Sequence, residues 1–136
     1  MNQFDLKSRT ALITGGAQGF GLDIAKRFLD SGAKVIIWDI DENELKKALK
    51  KVNNPKLFYN VVDVSNFVSV SKTINEIIKF SNIDILINNA GITGSTSELW
   101  NYDVEEWCKI VSINLNGTFN CCKCLVPNMI KNNYGR

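Results

Sequence analysis

The run Thr14-Gly15-Gly16-Ala17-Gln18-Gly19-Phe20-Gly21 constrains this chain more than any other stretch. It follows the apolar run Thr10-Ala11-Leu12-Ile13 and opens a helical pattern that places Ile24, Ala25, Phe28 and Leu29 on one face. Strand, glycine turn and helix in that order form the setting in which a glycine-rich loop holds the pyrophosphate of a dinucleotide. Gly15 permits the tight turn, Gly19 lets backbone approach a phosphate, and Gly21 lets the helix lie close to the strand. Gln18 and Phe20 complete the loop, and the first N–H groups of the helix are left for an anion. The glycines read Gly-x-x-x-Gly-x-Gly rather than the commoner Gly-x-Gly-x-x-Gly. The alternative, an ordinary glycine turn before a helix, has the strand-turn-helix setting against it.

The rest of the chain repeats this alternation without a linker, an internal repeat or a low-complexity segment. Strands are expected at 10–14, at Lys34-Val35-Ile36-Ile37-Trp38, at 57–62 and at Ile83-Asp84-Ile85-Leu86-Ile87. Such near-continuous apolar runs suit parallel strands buried on both faces. Gly32 closes the first helix, and Asp41 with Glu44, then Asp103 with Glu106, read as Asp versions of a capping box. A third helix is expected at about 66–80 and a long fourth one at about 104–130, its final turns bent or loosened by Pro127. Right-handed crossovers then give a single α/β domain over 1–136, a doubly wound, Rossmann-like parallel sheet with spatial order 3-2-1-4. Its ligand crevice lies at the carboxyl ends of strands 1 and 4. The unusual polar residues fall at those strand ends: the glycine loop, Asp39, Asp63 with Val64, and Asn88-Asn89-Ala90-Gly91.

These four places, together with Val111-Ser112-Ile113-Asn114-Leu115-Asn116-Gly117-Thr118-Phe119, resemble the short-chain dehydrogenase/reductase family in order and spacing along the whole chain. The resemblance extends to 3-oxoacyl-carrier-protein reductases and to NAD-dependent sugar and alcohol dehydrogenases. It implies that Asp63 and Val64 meet the adenine, although an Asp also begins turns on its own account. It implies that Asn89, Ala90 and Gly91 brace the sheet and touch the nicotinamide-side ribose. It also makes Asn114 the asparagine of the catalytic tetrad, its backbone carbonyl holding a proton-relay water at a break in the helix.

The other tetrad members, a serine and a Tyr-x-x-x-Lys pair, are not found: Tyr59 is followed four residues on by Asp63 and Tyr102 by Glu106, while Tyr134 has two residues after it. Tyr134-Gly135-Arg136 resembles the lead-in to the family's fifth strand. The chain is therefore expected to be the cofactor-binding amino-terminal part of an alcohol/ketone oxidoreductase, C-terminally incomplete and inactive alone. A non-catalytic dinucleotide-binding or interaction module is the alternative. Alone, the edge at Ile83, Ile85 and Ile87 is expected to stand bare and to drive self-association.

Asp39 points to NAD. It lies 18 residues beyond Gly21, where a carboxylate accepts hydrogen bonds from both ribose hydroxyls. A 2′-phosphate at about 4 Å from that carboxylate is repelled by roughly 4 kcal/mol at an effective dielectric near 20. Gln18 and Ile40 are neutral where NADP users place a basic residue. The competing reading makes Asp39 the cap of the next helix, a role for which Asp41 is better placed.

A net charge of +2 leaves no broad basic footprint for nucleic acid. The longest apolar runs are interrupted by polar residues, and Met1-Asn2-Gln3-Phe4-Asp5 lacks the pattern of a secretion signal, so no membrane partner and a cytoplasmic location are expected. Cys108, Cys121, Cys122 and Cys124 include a Cys-x-x-Cys spacing. With no histidine in the chain they read as reduced, packed thiols rather than metal ligands, and no metal is expected. The apolar face of the fourth helix is expected to join a homo-oligomer, and the stretch from Thr93 to Tyr102 to line the entrance for a small alcohol or ketone.

Overall fold

A computed structural model describes residues 4–136. Four parallel strands, β1 (Thr10–Thr14), β2 (Lys34–Asp39), β3 (Leu57–Val61) and β4 (Ile85–Ile87), pair in the order β3-β2-β1-β4. The helices are α1 (Gly19–Asp30), α2 (Glu42–Val52), α3 (Phe67–Ile77), α4 (Val104–Val111) and α5 (Gly117–Lys131). Alternation along β2 divides its side chains between two cores. Val35 and Ile37 join Ile13 beneath α1 and α2, where Leu22, Ala25, Leu29 and Leu45 are buried. Ile36 and Trp38 join Leu12 on the other face, against Val70 and Ile74 of α3 and Cys121, Leu125 and Met129 of α5. Each fully buried Leu, Ile or Val contributes about 1.5–3 kcal/mol, and both faces of β1 and β2 are filled, so the strands that carry the glycine loop and Asp39 are the most firmly held.

Helix ends follow the sequence in most places. Gly32, at φ 96, closes α1 with paired bonds, its N–H to the Leu29 carbonyl and the Ala33 N–H to the Phe28 carbonyl. Asp41 accepts from the Asn43 and Glu44 N–H groups, Asn66 from Ser69 and Asp103 from Glu106. The two capping boxes are half made. Glu44 turns outward to Lys47 at 2.6 Å, and the Glu106 carboxylate is taken by Ser95, while the Asp41 N–H goes to Asp39. A half-buried glutamate follows the stronger charge-assisted partner within reach rather than returning to the cap.

Two elements differ from the sequence expectation. The fourth helix is not one regular rod: α4 passes into a π-helical segment, Ser112–Asn116, and then α5, which continues through Pro127 to Lys131. The segment falls where the family resemblance puts a break, at Asn114; apolar periodicity alone does not register one extra residue in a turn, and such bulges inside helices are frequent at functional sites. β4 is shorter than expected, and its outer side is partly paired. The Arg136 N–H donates to the Asp84 carbonyl and the Leu86 N–H to the Arg136 carbonyl, a parallel bridge. Ile83 and Ile85 are buried rather than bare. Cys121 is also buried, and desolvation, with Cys122 and Cys124 adding to it, pushes its thiol up to about 12. Among the described residues no helix is long and apolar enough to cross a membrane.

Candidate functional site

At the carboxyl ends of the strands lies a cleft of about 650 Å³. It gathers most of the residues singled out from the sequence: Gly15, Gln18 and Phe20 from the loop, Asp39, Asp63 and Val64, and Asn89, Ala90 and Gly91. Gly19, Gly21 and Asn114 are not on its wall, but Gly21 packs against Gly15 and Asn89, and Asn114 bonds to Ile92, all three of them wall residues. A Cβ on Gly21 would collide with the Gly15 carbonyl and stand 2.6 Å from Asn89 Nδ2, so only glycine lets α1 start so close to β1. Gly19, at φ 54, has nothing within 4 Å of a built Cβ, which leaves its backbone open.

Thr14 knots this wall together. Its hydroxyl accepts from the Asn89 N–H at 3.1 Å and the Ala90 N–H at 3.0 Å, and donates to the Ile87 carbonyl at 3.4 Å. Asn89 Nδ2 answers with bonds to the Thr14 and Gly15 carbonyls, both at 3.0 Å. The turn after β4 is thereby locked to the turn after β1. The sequence does not single out Thr14, since a threonine at a strand end carries no mark of the two amides it will meet.

Asp39 is half-buried at the end of β2, where one carboxylate oxygen takes the Ile40 N–H at 2.8 Å and the other the Ala17 N–H at 3.4 Å. It is not the cap of α2, which Asp41 supplies. Asp63 begins a turn, accepting from the Ser65 N–H at 2.9 Å and hydroxyl at 2.6 Å, and also faces the cleft, so the two readings of this residue coexist. Val64 is fixed from behind by a residue the sequence reading missed. Asn120, buried in α5, donates to the Val64 carbonyl at 2.9 Å, and a Cβ on Gly117 would come within 2.7 Å of the Val64 side chain.

The opposite wall is made by Ile92, Lys109, Ser112 and Ile113. Asn114 clamps Ile92 from the π-helical segment, its Oδ1 accepting the Ile92 N–H at 2.9 Å and its Nδ2 donating to the Ile92 carbonyl at 3.0 Å. Three residues on, Ser95 gives Glu106 both its N–H at 3.0 Å and its hydroxyl at 2.6 Å. The segment from Thr93 to Tyr102 is folded against α4 by these contacts and does not line the cleft.

Two features fit a dinucleotide. Of the capped helices α1 to α4, α1 alone has an N-cap residue, Gln18, whose side chain makes no capping bond, and it is the helix that begins at the cleft. Its free N–H groups and the bare backbone at Gly19 form an anion cradle without a lysine. The charged groups on the wall are Asp39, Asp41, Asp63 and Lys109, a balance that suits ribose hydroxyls and an adenine amine near the three carboxylates.

Residues 9–136 match the family model for short chain dehydrogenase. The chain belongs to the short-chain dehydrogenases. It is 35% identical over 129 residues to the 2-dehydro-3-deoxy-L-rhamnonate dehydrogenase (NAD(+)) of Sphingomonas sp. (strain SKA58), with 94% of this chain and 51% of that protein covered. Among solved structures it is similar to a 3-ketoacyl-(acyl-carrier-protein) reductase from Brucella melitensis complexed with NADH, with a TM-score of 0.88, 32% identity, and 94% of this chain and 53% of that one covered. It is equally similar to a gluconate 5-dehydrogenase from Burkholderia cenocepacia J2315 in complex with NADP and tartrate, with a TM-score of 0.89, 31% identity, and coverage of 98% and 53%. The chain spans about half the length of the curated relatives it matches. Short-chain dehydrogenases take NAD or NADP, as these complexes illustrate, so the fold alone does not choose between them.

Proposed function

We propose that this short-chain dehydrogenase chain is the NAD-binding part of an oxidoreductase that interconverts a secondary alcohol and a ketone. The observation that carries the choice of cofactor is Asp39, presented at the end of β2 between neutral Gln18 and Ile40 on the wall of the cleft. When bound, NAD supplies the hydride acceptor. The chain's own residues hold it: the N-terminus of α1 and Gly19 the pyrophosphate, Asp39 the adenosine ribose, Asp63 and Val64 the adenine, and Asn89, Ala90 and Gly91 the nicotinamide side. Asn114 keeps the role the family resemblance gives it, a backbone carbonyl for the proton relay. The π-helical turn supports that role, because it puts Asn114 where the carbonyl ladder is irregular; the Thr118 hydroxyl donates to this carbonyl at 3.1 Å.

Proton transfer to the substrate oxygen needs a general acid, and the 136 residues contain no Tyr-x-x-x-Lys. We therefore assign the chain on its own cofactor binding without turnover. Exposed Val104, Trp107, Leu115 and Phe119 support a further part of the proposal, a subunit contact through α4 and α5. The four unpaired thiols support a reducing, cytoplasmic setting.

Calorimetric titration of the chain with NADH and with NADPH tests the cofactor assignment. NADH is expected to bind more tightly, by up to about a thousandfold before salt screening is deducted. Asp39→Ala with Ile40→Arg is expected to reverse the order by removing the repulsion and adding a phosphate partner. Tighter binding of NADPH by the unaltered chain overturns the assignment.

A further inference from the structure

At the opposite ends of the strands from the cleft the sheet carries a second cavity, of about 430 Å³. Arg9, Lys34 and Lys56 line it with Ser8, Thr10 and Phe58, and none of its lining residues is acidic. Strand register creates the cluster. Thr10 pairs with Lys34 across β1 and β2, and the Val35 N–H donates to the carbonyl of Lys56, the turn residue just before β3, so that both lysines reach the same cavity. Like charges gathered on one cavity repel each other, and without a counter-ion that repulsion costs stability.

Among the described residues neither lysine has a carboxylate partner. Lys56 Nζ donates to the Gly32 carbonyl at 3.2 Å, and Lys34 Nζ lies 4.9 Å from the centroid of the Phe58 ring. An ammonium carries three donors, so both retain bonding capacity toward the cavity. Arg9 is more committed, with Nη1 3.3 Å from Asp84 and its guanidinium 3.5 Å from the Tyr134 ring centroid, and it anchors the third side of the cluster.

We propose that this cavity binds a small multivalent anion of the phosphate type, separately from the dinucleotide cleft. One such anion bridges Lys34 and Lys56, turning a repulsive pair into two charge-assisted contacts. A monovalent carboxylate offers too little charge to neutralise both. The five residues of β1 span about 17 Å between the two sites, so the ligand cannot be the pyrophosphate of a dinucleotide held by the glycine loop.

Inorganic pyrophosphate is the probe, followed by thermal unfolding and calorimetric titration against sodium chloride at matched ionic strength, since salt alone screens the lysine pair. Saturable stabilisation by pyrophosphate beyond that of chloride is expected. The double variant Lys34→Gln with Lys56→Gln is expected to be more stable than the unaltered chain at low salt, and to bind pyrophosphate about tenfold to a hundredfold more weakly. Lys34→Arg with Lys56→Arg keeps the binding. Three results overturn the proposal: a pyrophosphate effect no larger than that of chloride, an effect that survives in the glutamine variant and so belongs to the glycine loop, or a glutamine variant less stable than the original at low salt.

Discussion

The two walls of the cleft are built in different ways. The wall from β1 and the turn after β4 is made of backbone and buried groups: Thr14 is 1% exposed, and its hydroxyl, two amides and three carbonyls form one closed set of bonds. The wall from Ile92 to Ile113 hangs on side chains at the surface, Asn114 on Ile92 and Glu106 on Ser95, and neither α4 nor the π-helical segment contains a buried residue. The first wall is part of the sheet itself, whereas the second is held to it by a few hydrogen bonds, each contributing about 0.5–1.5 kcal/mol. A site that must accept and release a ligand gains from having one rigid wall and one that yields.

The harshest test of the rigid wall is Gly21→Val. The new side chain meets the Gly15 carbonyl and the Asn89 amide, both of them backbone-anchored, so the turn must open. A loss of about 4 kcal/mol or more in unfolding free energy is expected, with NADH binding reduced below detection in a fluorescence titration. Wild-type affinity in this variant would mean that the turn is not built as described.

Thr14→Val is milder, since the shape is kept while the acceptor for two amides is removed. Leaving the Asn89 and Ala90 N–H groups without a partner costs about 1–3 kcal/mol each, so urea denaturation is expected to show a total of roughly 2–6 kcal/mol. Thr14→Ser, which keeps the oxygen, recovers most of it.

The cysteines compare the two halves by pH. Cys121 sits in the core beneath the rigid side, and Cys108 is exposed on α4. A thiol whose folded pKa is raised to about 12 from an ordinary value of 9.0 stabilises the fold fully below pH 9. As pH rises from 9 toward 12 the unfolded chain gives up its proton first and stability falls, by about 1.4 kcal/mol for each pH unit within that window. Cys121→Ala is expected to flatten that part of the pH–stability curve. Iodoacetamide at pH 8 is expected to label Cys108 and spare Cys121 in the folded chain. Equal labelling of both contradicts the burial.

How much of this was legible in the sequence follows the same division. The strand order, the glycine turn and the positions of Asp39, Asp63 and Asn89 could be read because each rests on a local rule: apolar runs for buried strands, glycine where Cβ has no room, polar residues at strand ends. The contacts of Thr14 with Ala90, 76 residues apart, and of Asn120 with Val64, 56 apart, could not be read, since a buried hydroxyl or amide looks like any other until its partner arrives through the fold. The π-helical turn could be read from the family resemblance, which places a break at Asn114, but not from the residue pattern. Ser112–Asn116 keeps its apolar residues at spacings that serve a regular helix as well, and only the two-point grip of Asn114 on Ile92 reveals what the extra residue accomplishes.

Asn114→Ala carries the smallest expected effect on stability and the sharpest test of the difference between the walls. It removes both bonds to Ile92 from an exposed side chain, so the unfolding free energy is expected to change by about 1 kcal/mol or less. Hydrogen exchange should rise at the amide of Ile92 and its immediate neighbours, while that of Asn89 and Ala90 stays at the wild-type rate, because the latter are held by Thr14. NADH affinity is expected to fall only a few-fold, since Asn114 grips Ile92 and none of the residues proposed to hold the pyrophosphate or the adenosine. Asn114→Asp separates the two bonds: it keeps an acceptor for the Ile92 N–H and loses the donor to the carbonyl, so its exchange rates should lie between those of Asn and Ala. A stability loss as large as that of Thr14→Val, or faster exchange spreading to Asn89, would show that the outer wall is part of the same cooperative unit as the inner one, and the division between a folded wall and an attached wall would have to be given up.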